Sequence, residues 1–363
     1  MSLWVVVGGQ YGGEGKGKIS AFITQQEGID VCIRCGGPNS GHSFVAEDGR
    51  TVLLRQLPTG YIRPQTRLLV PAGALIDLEV LKYELDSMGL DARRVGVDRN
   101  AMVIEERDKE SESQLQLRER LSSTLCGVGS AVSRRAMRGA SVRLAGQFAR
   151  DVPWLADLIT DVSDEANTAL DYGKKVLVEG TQGFGLSLYH SESYPKATSR
   201  DTTAAAFLSE VGLSPKSVNE VVVVFRTFPI RVSGEQAGPM KDEITWEILR
   251  EESGYPHPVQ EMTTVSKKVR RVGRFDWELA AKAIQANRPT RVAINGMDLF
   301  DYSNRTQQYR DLFTARAGAF LREFEERFQR RVSMCGTGPR IVDVAGPRRT
   351  PQVTEEAHAE ILG

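Results

Sequence analysis

The chain has 363 residues, with 47 basic and 47 acidic side chains and therefore no formal net charge at pH 7. That length buries a sizeable core and suits one large α/β domain or two smaller ones, while the balanced charge gives no general electrostatic reason to expect nucleic-acid or membrane partners. No apolar stretch reaches membrane-spanning length, and the first residues run straight into a strand-like segment instead of a signal peptide, so a cytoplasmic protein is expected.

The apolar run at residues 3–7 leads into Gly8-Gly9-Gln10-Tyr11-Gly12-Gly13-Glu14-Gly15-Lys16-Gly17-Lys18. A strand feeding a glycine-rich turn and then a helix surrounds an anion with free backbone N–H groups and the positive end of a helix dipole, and two lysines add charge. Gly12, Gly17 and Lys18 match the Gly-x4-Gly-Lys core of a Walker loop, but Ile19 stands where a Ser or Thr would hold magnesium, which points to a nucleotide loop of another lineage. A flexible turn with solvated lysines is the competing reading.

Further short apolar runs follow at residues 31–35, 68–70, 176–178, 221–225 and 291–294, separated by stretches of helical spacing such as 78–88, 106–121 and 153–170. The alternation predicts an α/β fold: a single large domain over residues 1–345 with a central, mostly parallel sheet flanked by helices, and chemistry at the carboxyl ends of the strands. Residues 346–363 read as a tail of exposed turn and short helix. Cys32 and Cys35 fall in one strand at an odd offset, hence on opposite faces. Cys126 and Cys335 form no second pair at metal spacing, so reduced packing cysteines are expected, not zinc.

Several blocks carry side chains suited to nucleotide chemistry. Arg34-Cys35-Gly36-Gly37-Pro38-Asn39-Ser40-Gly41-His42-Ser43 puts an amide and an imidazole on a glycine turn, where they can meet a purine edge and a phosphate. Ser122-Ser123-Thr124-Leu125-Cys126-Gly127-Val128-Gly129 precedes Arg134, Arg135 and Arg138, whose guanidinium forks suit a phosphate, although a solvated basic helix face competes. Val178-Glu179-Gly180-Thr181-Gln182-Gly183 and Tyr194-Pro195-Lys196-Ala197-Thr198-Ser199-Arg200-Asp201-Thr202-Thr203 read alone as ordinary turns. In the segment from Glu261 to Gly273, hydroxyls and cations interleave, which suits a dicarboxylic amino acid. Asn295-Gly296-Met297-Asp298 and Gly336-Thr337-Gly338-Pro339 complete the set.

These blocks, spread over about residues 3–340, resemble the adenylosuccinate synthetase family, whose loop reads Trp-Gly-Asp-Glu-Gly-Lys-Gly-Lys where this chain has Tyr11 to Lys18. The resemblance implies a P-loop-related fold and a catalytic group of Glu14, Lys16, His42 and Gln182. It implies a triphosphate held by Gly12, Gly15, Lys16, Gly17, Lys18, Ser43, Asp298, Gly336, Gly338 and Pro339, with magnesium at Gly13 and the Gly41 carbonyl. The substrate nucleotide would meet Gly13, Asn39, Thr124, Gln182, Thr198 and Arg231, and either Arg135 or Arg138 would reach a 5′-phosphate across a homodimer interface. L-aspartate would meet Thr263, Thr264, Ser266, Lys268 and Arg270, with Lys268 standing where an arginine is usual. Gly296 replaces the family's base-covering lysine beside Asp298, which shifts the expected donor from GTP toward ATP or dATP.

The departure at Gly13 matters most, because the family's aspartate there is the general base and a magnesium ligand. Three readings follow: a relative that has lost its base, an ordinary enzyme in which Glu14 or water takes over, or a changed substrate. A carboxylate beside N1 and C2 of a purine would collide with a 2-amino group, whereas glycine leaves room for guanine. On that basis the chain looks like the phage-type 2-aminoadenylosuccinate synthetases, which implies dGMP, L-aspartate and a nucleoside triphosphate as small-molecule substrates, Mg2+ as cofactor, and the host cytoplasm if the chain is phage-encoded. Glu14 is the expected proton acceptor. An ordinary adenylosuccinate synthetase using IMP and GTP, and a nucleotide-binding switch protein without catalysis, are the alternatives.

Overall fold

The computed structural model describes residues 2–139, 141–263 and 267–346. The expected tail helix beyond residue 346 lies outside the described residues. A ten-stranded sheet organises the chain, built from β1 (Ser2–Gly8), β2 (Val31–Arg34), β3 (Arg67–Val70), β4 (Val95–Asp98), β5 (Ile159–Thr160), β6 (Lys175–Glu179), β7 (Val218–Arg226), β8 (Arg291–Asn295), β9 (Val332–Gly336) and β10 (Val344–Ala345). Their order is β10-β9-β8-β7-β1-β6-β2-β3-β4-β5, and every pair is parallel except β9 with β10. The first strand is therefore central, and its neighbours come from much later in the chain: Val5 faces Val178 on one side and Val221 on the other.

Strand β1 is apolar at every position from Leu3 to Val7 because both faces of the sheet are covered. Leu3, Val5 and Val7 pack with α6 (Val162–Asp171), α7 (Ala204–Val211), α8 (Trp277–Asn287) and α9 (Ala315–Phe328). Trp4 and Val6 turn to the opposite face, onto α1 (Lys16–Glu27) and α2 (Leu78–Met88). The same alternation sends Cys32 and Cys35 into different core layers, where both are buried free thiols.

Two expected helices are broken. The segment 106–121 is α3 (Glu106–Gln114) and α4 (Leu117–Leu121), because Gln116 at φ 51° takes a left-handed conformation that ends the first helix. The segment 153–170 opens with one turn, Pro153–Ala156. Ile159 and Thr160 then pair with Val97 and Asp98 as the sheet's edge strand, and the Asp161 carboxylate caps the start of α6 through the Asp164 amide. Helix α5 (Val128–Ala136) follows the Thr124 segment.

Candidate active site

The carboxyl end of β1 runs into the glycine loop and α1. Gly12 and Gly15, at φ 91° and 85°, are left-handed, so glycine is the residue that fits both turns. Glu14 points inward: Oε1 accepts from the amides of Gln10 (2.9 Å) and Gly12 (2.8 Å), and Oε2 pairs with Lys16 Nζ at 2.6 Å. A Cβ on Gly8 or Gly183 would lie 2.6 or 2.4 Å from those carboxylate oxygens, so both glycines provide the space that Glu14 fills. Glu14 is thus a clamp that shapes the loop and aims Lys16. Both carboxylate oxygens of Glu14 are thus engaged within the loop.

Gly13 has no left-handed backbone requirement. What its position lacks is room, since a Cβ would lie 2.4 Å from Ile230 Cγ1 and 2.7 Å from Cδ1. Its carbonyl accepts from Arg226 NH1 at 3.0 Å, and Arg226 forks onto Glu261 at 2.6 and 3.1 Å. Burial alone would raise the Glu261 carboxyl, but Arg226 brings it below its ordinary range. Lys18 lines the cleft and donates to the carbonyls of Gly338 (2.7 Å) and Asp343 (3.1 Å), and burial lowers its ammonium to about 8. Ile19 is buried in the core layer under α1.

His42 starts the hairpin formed by His42–Val45 and Thr51–Leu54. Its Nδ1 lies 2.5 Å from Glu179 Oε1, and the same oxygen accepts from Arg34 NH1 at 2.9 Å. Glu179 Oε2 takes the Thr59 amide and hydroxyl at 2.9 and 2.6 Å. An ionised carboxylate needs a proton on Nδ1, which leaves buried Nε2 without a partner among the described residues. Burial and the Arg34 charge hold His42 down at about 4. Burial alone would raise Glu179, but His42 and Arg34 bring it to about 2. A Cβ on Gly17 would lie 2.8 Å from His42 Cβ, so that glycine lets the imidazole close onto α1.

Of the residues assigned to the substrate nucleotide, Gln182 lies against the loop and Arg231 against Tyr11. Gln182 Oε1 would lie 3.3 Å from a Cβ on Gly12. The Arg231 guanidinium stacks over the Tyr11 ring at 4.6 Å and donates to the carbonyls of Pro239 (2.8 Å) and Lys196 (3.0 Å), which ties it to the loop carrying Thr198. That loop reaches α5, where Ser199 Cβ would be 3.7 Å from a Cβ on Gly129, close to the Thr124 segment. Asn39 sits on the turn after β2 with Oδ1 beside Gly37. Arg134 pairs with Asp108 and Glu105, and Arg135 donates to the Ala72 carbonyl at 2.8 Å. Arg138 is exposed just past α5, and its side chain bonds to no described residue, unlike that of Arg135.

A cleft of about 450 Å3 joins the loop to the remaining groups, among them Gly41, His42, Ser43, Arg270, Asp298 and Pro339. Thr264 and Ser266 lie outside the described residues. The Thr263 hydroxyl accepts from the Lys268 amide at 2.9 Å, and Arg270 lines the cleft. Gly296, at φ 84°, caps the short helix Met297–Phe300, and a Cβ there would lie 2.8 Å from the Thr227 hydroxyl. Gly336 leaves room for Asn295 and the Lys18 ammonium.

Magnesium fits this donor set as an ion held chiefly by phosphate and backbone carbonyl oxygens. No group of three or more His, Cys, Asp or Glu side chains among the described residues could hold a metal. The Gly13 carbonyl accepts one bond, from Arg226 NH1, which uses one of its two lone pairs. The Gly41 carbonyl lines the cleft, and Mg2+ bound chiefly by phosphate oxygens and water needs little more from a protein.

Arg34, Glu179, Arg226 and Ile230 were assigned no role in the sequence. Three of them had a visible signal: each is a charged residue directly after an apolar run at the carboxyl end of its strand, at the edge where such sheets bind ligands.

The family model described as adenylosuccinate synthetase matches residues 5–152 and 141–307. The chain is 41% identical to the adenylosuccinate synthetase of Thermococcus onnurineus over 96% of its own length and all of the relative's, and 38% identical to that of Methanocaldococcus jannaschii over 93% and 94%. Among solved structures, the cyanophage S-2L succinoaminodeoxyadenylate synthetase (PurZ), bound to dGMP and to dATP as an energy donor, superposes with a TM-score of 0.81 at 28% identity over 99% of both chains. The Plasmodium falciparum adenylosuccinate synthetase shares the fold, with a TM-score of 0.83 at 21% identity over 96% of this chain and 100% of the other.

Proposed function

Since the chain belongs to the adenylosuccinate synthetase family of C–N bond-forming ligases, we propose that it condenses dGMP with L-aspartate, driven by a nucleoside triphosphate, to give N6-succino-2-amino-2′-deoxyadenylate for diaminopurine DNA. The observation that carries the reading is Gly13. The family's aspartate is absent, the backbone there does not demand glycine, and Ile230 fills the place of a side chain. A 2-amino group therefore meets no carboxylate at this position. The dGMP and dATP bound by the cyanophage enzyme support the same substrate and an adenine donor.

In this reading dGMP gives up its N1 proton to solvent water as its O6 attacks the γ-phosphorus, forming an O6–P bond while the bond to the β-phosphate oxygen breaks. The aspartate amine then forms the bond to C6, releasing a proton to water, and phosphate leaves with O6. Magnesium, when bound, offsets charge on the phosphate oxygens. Lys16, aimed by Glu14, neutralises the transferring group, and His42 Nε2 meets it as a donor once the ring is protonated. Gln182, Asn39, Thr124, Thr198 and Arg231 hold the monophosphate, and Arg138 reaches it from the partner in a homodimer. Arg270, with Thr264, Ser266 and Lys268, receives aspartate. Residues 1–345 act as one catalytic unit.

The named sequence relatives favour a second reading, ordinary adenylosuccinate synthesis from IMP. Phosphate release with dGMP against IMP, at saturating ATP, Mg2+ and L-aspartate, separates the two. Turnover confined to dGMP is expected.

A further inference from the structure

At the far end of the cleft, Asp298 lies beside Tyr255 and Arg305. The Tyr255 hydroxyl donates to Asp298 Oδ2 at 3.0 Å, and Arg305 NH1 donates to the same oxygen at 3.2 Å and also to the Tyr255 hydroxyl. The Tyr255 and Tyr302 rings meet edge to face at 4.7 Å, and the Arg305 guanidinium lies 5.7 and 5.9 Å from their centroids. Burial and the adjacent carboxylate raise the Tyr255 pKa, so the hydroxyl keeps its proton and remains a donor. Asp298 Oδ1 bonds to no described residue.

We infer that Tyr255 and Arg305 set the base of the phosphoryl donor, because by holding Oδ2 they leave Asp298 a single acceptor for the base edge. Guanine presents two adjacent donors, N1–H and the 2-amino group, and a carboxylate reads them with both oxygens. Adenine presents one exocyclic amine, beside an N1 that is itself an acceptor. One open oxygen satisfies adenine, whereas guanine must break the Tyr255 and Arg305 bonds or leave a donor unpaired, which a desolvated site penalises. The inference rests on the reading above only in taking this cleft as the triphosphate site.

Calorimetric titration of the full chain with the non-hydrolysable analogues AMPPNP and GMPPNP, in Mg2+ and without monophosphate or aspartate, tests it. Wild type is expected to prefer the adenine analogue by roughly tenfold. Tyr255→Phe and Arg305→Met are each expected to narrow that ratio several-fold, chiefly by tightening GMPPNP. Tyr255→Phe removes one oxygen and keeps the ring pair, so it remains informative if Arg305→Met melts early. A ratio unmoved in Tyr255→Phe, or a wild-type preference for GMPPNP, overturns the inference. No dGMP or IMP enters the titration, so the proposed monophosphate can fail while this result stands, and the reverse.

Discussion

Ile230 Cγ1 lies where it would be 2.4 Å from any Cβ on Gly13, so the side chain of one residue fills the space that the other lacks. The two cannot be changed independently. Gly13→Asp overpacks this contact, and overpacking of this kind costs about 1–3 kcal/mol. We expect denaturant unfolding to show that loss, Ile230→Ala to recover part of it in the double variant, and both variants to lose dGMP turnover. A Gly13→Asp protein as stable and active as wild type would contradict the contact.

Glu14 makes three bonds within the loop, one of them to buried Lys16. Glu14→Gln strands the ammonium, and removing one member of a buried pair costs about 3–5 kcal/mol. A clamp predicts lower stability and weaker triphosphate binding together. A base would instead show a fall in kcat with triphosphate binding and stability unchanged.

Acid should weaken the fold in two windows. Between pH 6.5 and about 4 the unfolded chain carries a proton on His42 that the folded chain does not, so stability falls as pH drops through this range. Between 4.5 and about 2 the unfolded chain protonates Glu179 while the folded chain keeps it ionised, and stability falls again. Urea unfolding from pH 3 to 7 should show stability rising with pH, and His42→Gln should flatten the upper window. In the intact protein, the His42 resonance should titrate at higher pH once a triphosphate analogue meets Nε2.

Arg138 and Arg135 should part company. Arg135 holds the Ala72 carbonyl, so Arg135→Ala is expected to cost about 1 kcal/mol of stability in a thermal melt. Arg138→Ala should leave the melt unchanged and raise the KM for the monophosphate roughly tenfold or more, as expected for a charge-assisted phosphate bond.

The six apolar runs appear as strands because a sheet covered on both faces writes itself as continuous β-branched sequence. The phosphate loop was legible for a similar reason, since its left-handed turns admit little but glycine. Residues that act across the fold were not. Ile230 is adjacent to Gly13 only because β1 and β7 are neighbours in the sheet, and Tyr255 reaches Asp298 and Arg305 from a separate segment. The breaks at Gln116 and at Ile159–Thr160 escaped because a left-handed Gln has no composition signal and a two-residue edge strand is defined by its partner.

The most direct measurement is steady-state phosphate release by the wild-type protein with ATP, Mg2+ and L-aspartate, dGMP against IMP as the varied substrate. Release with dGMP and none with IMP is the predicted result. Release with IMP alone would contradict the account and make the chain an ordinary adenylosuccinate synthetase.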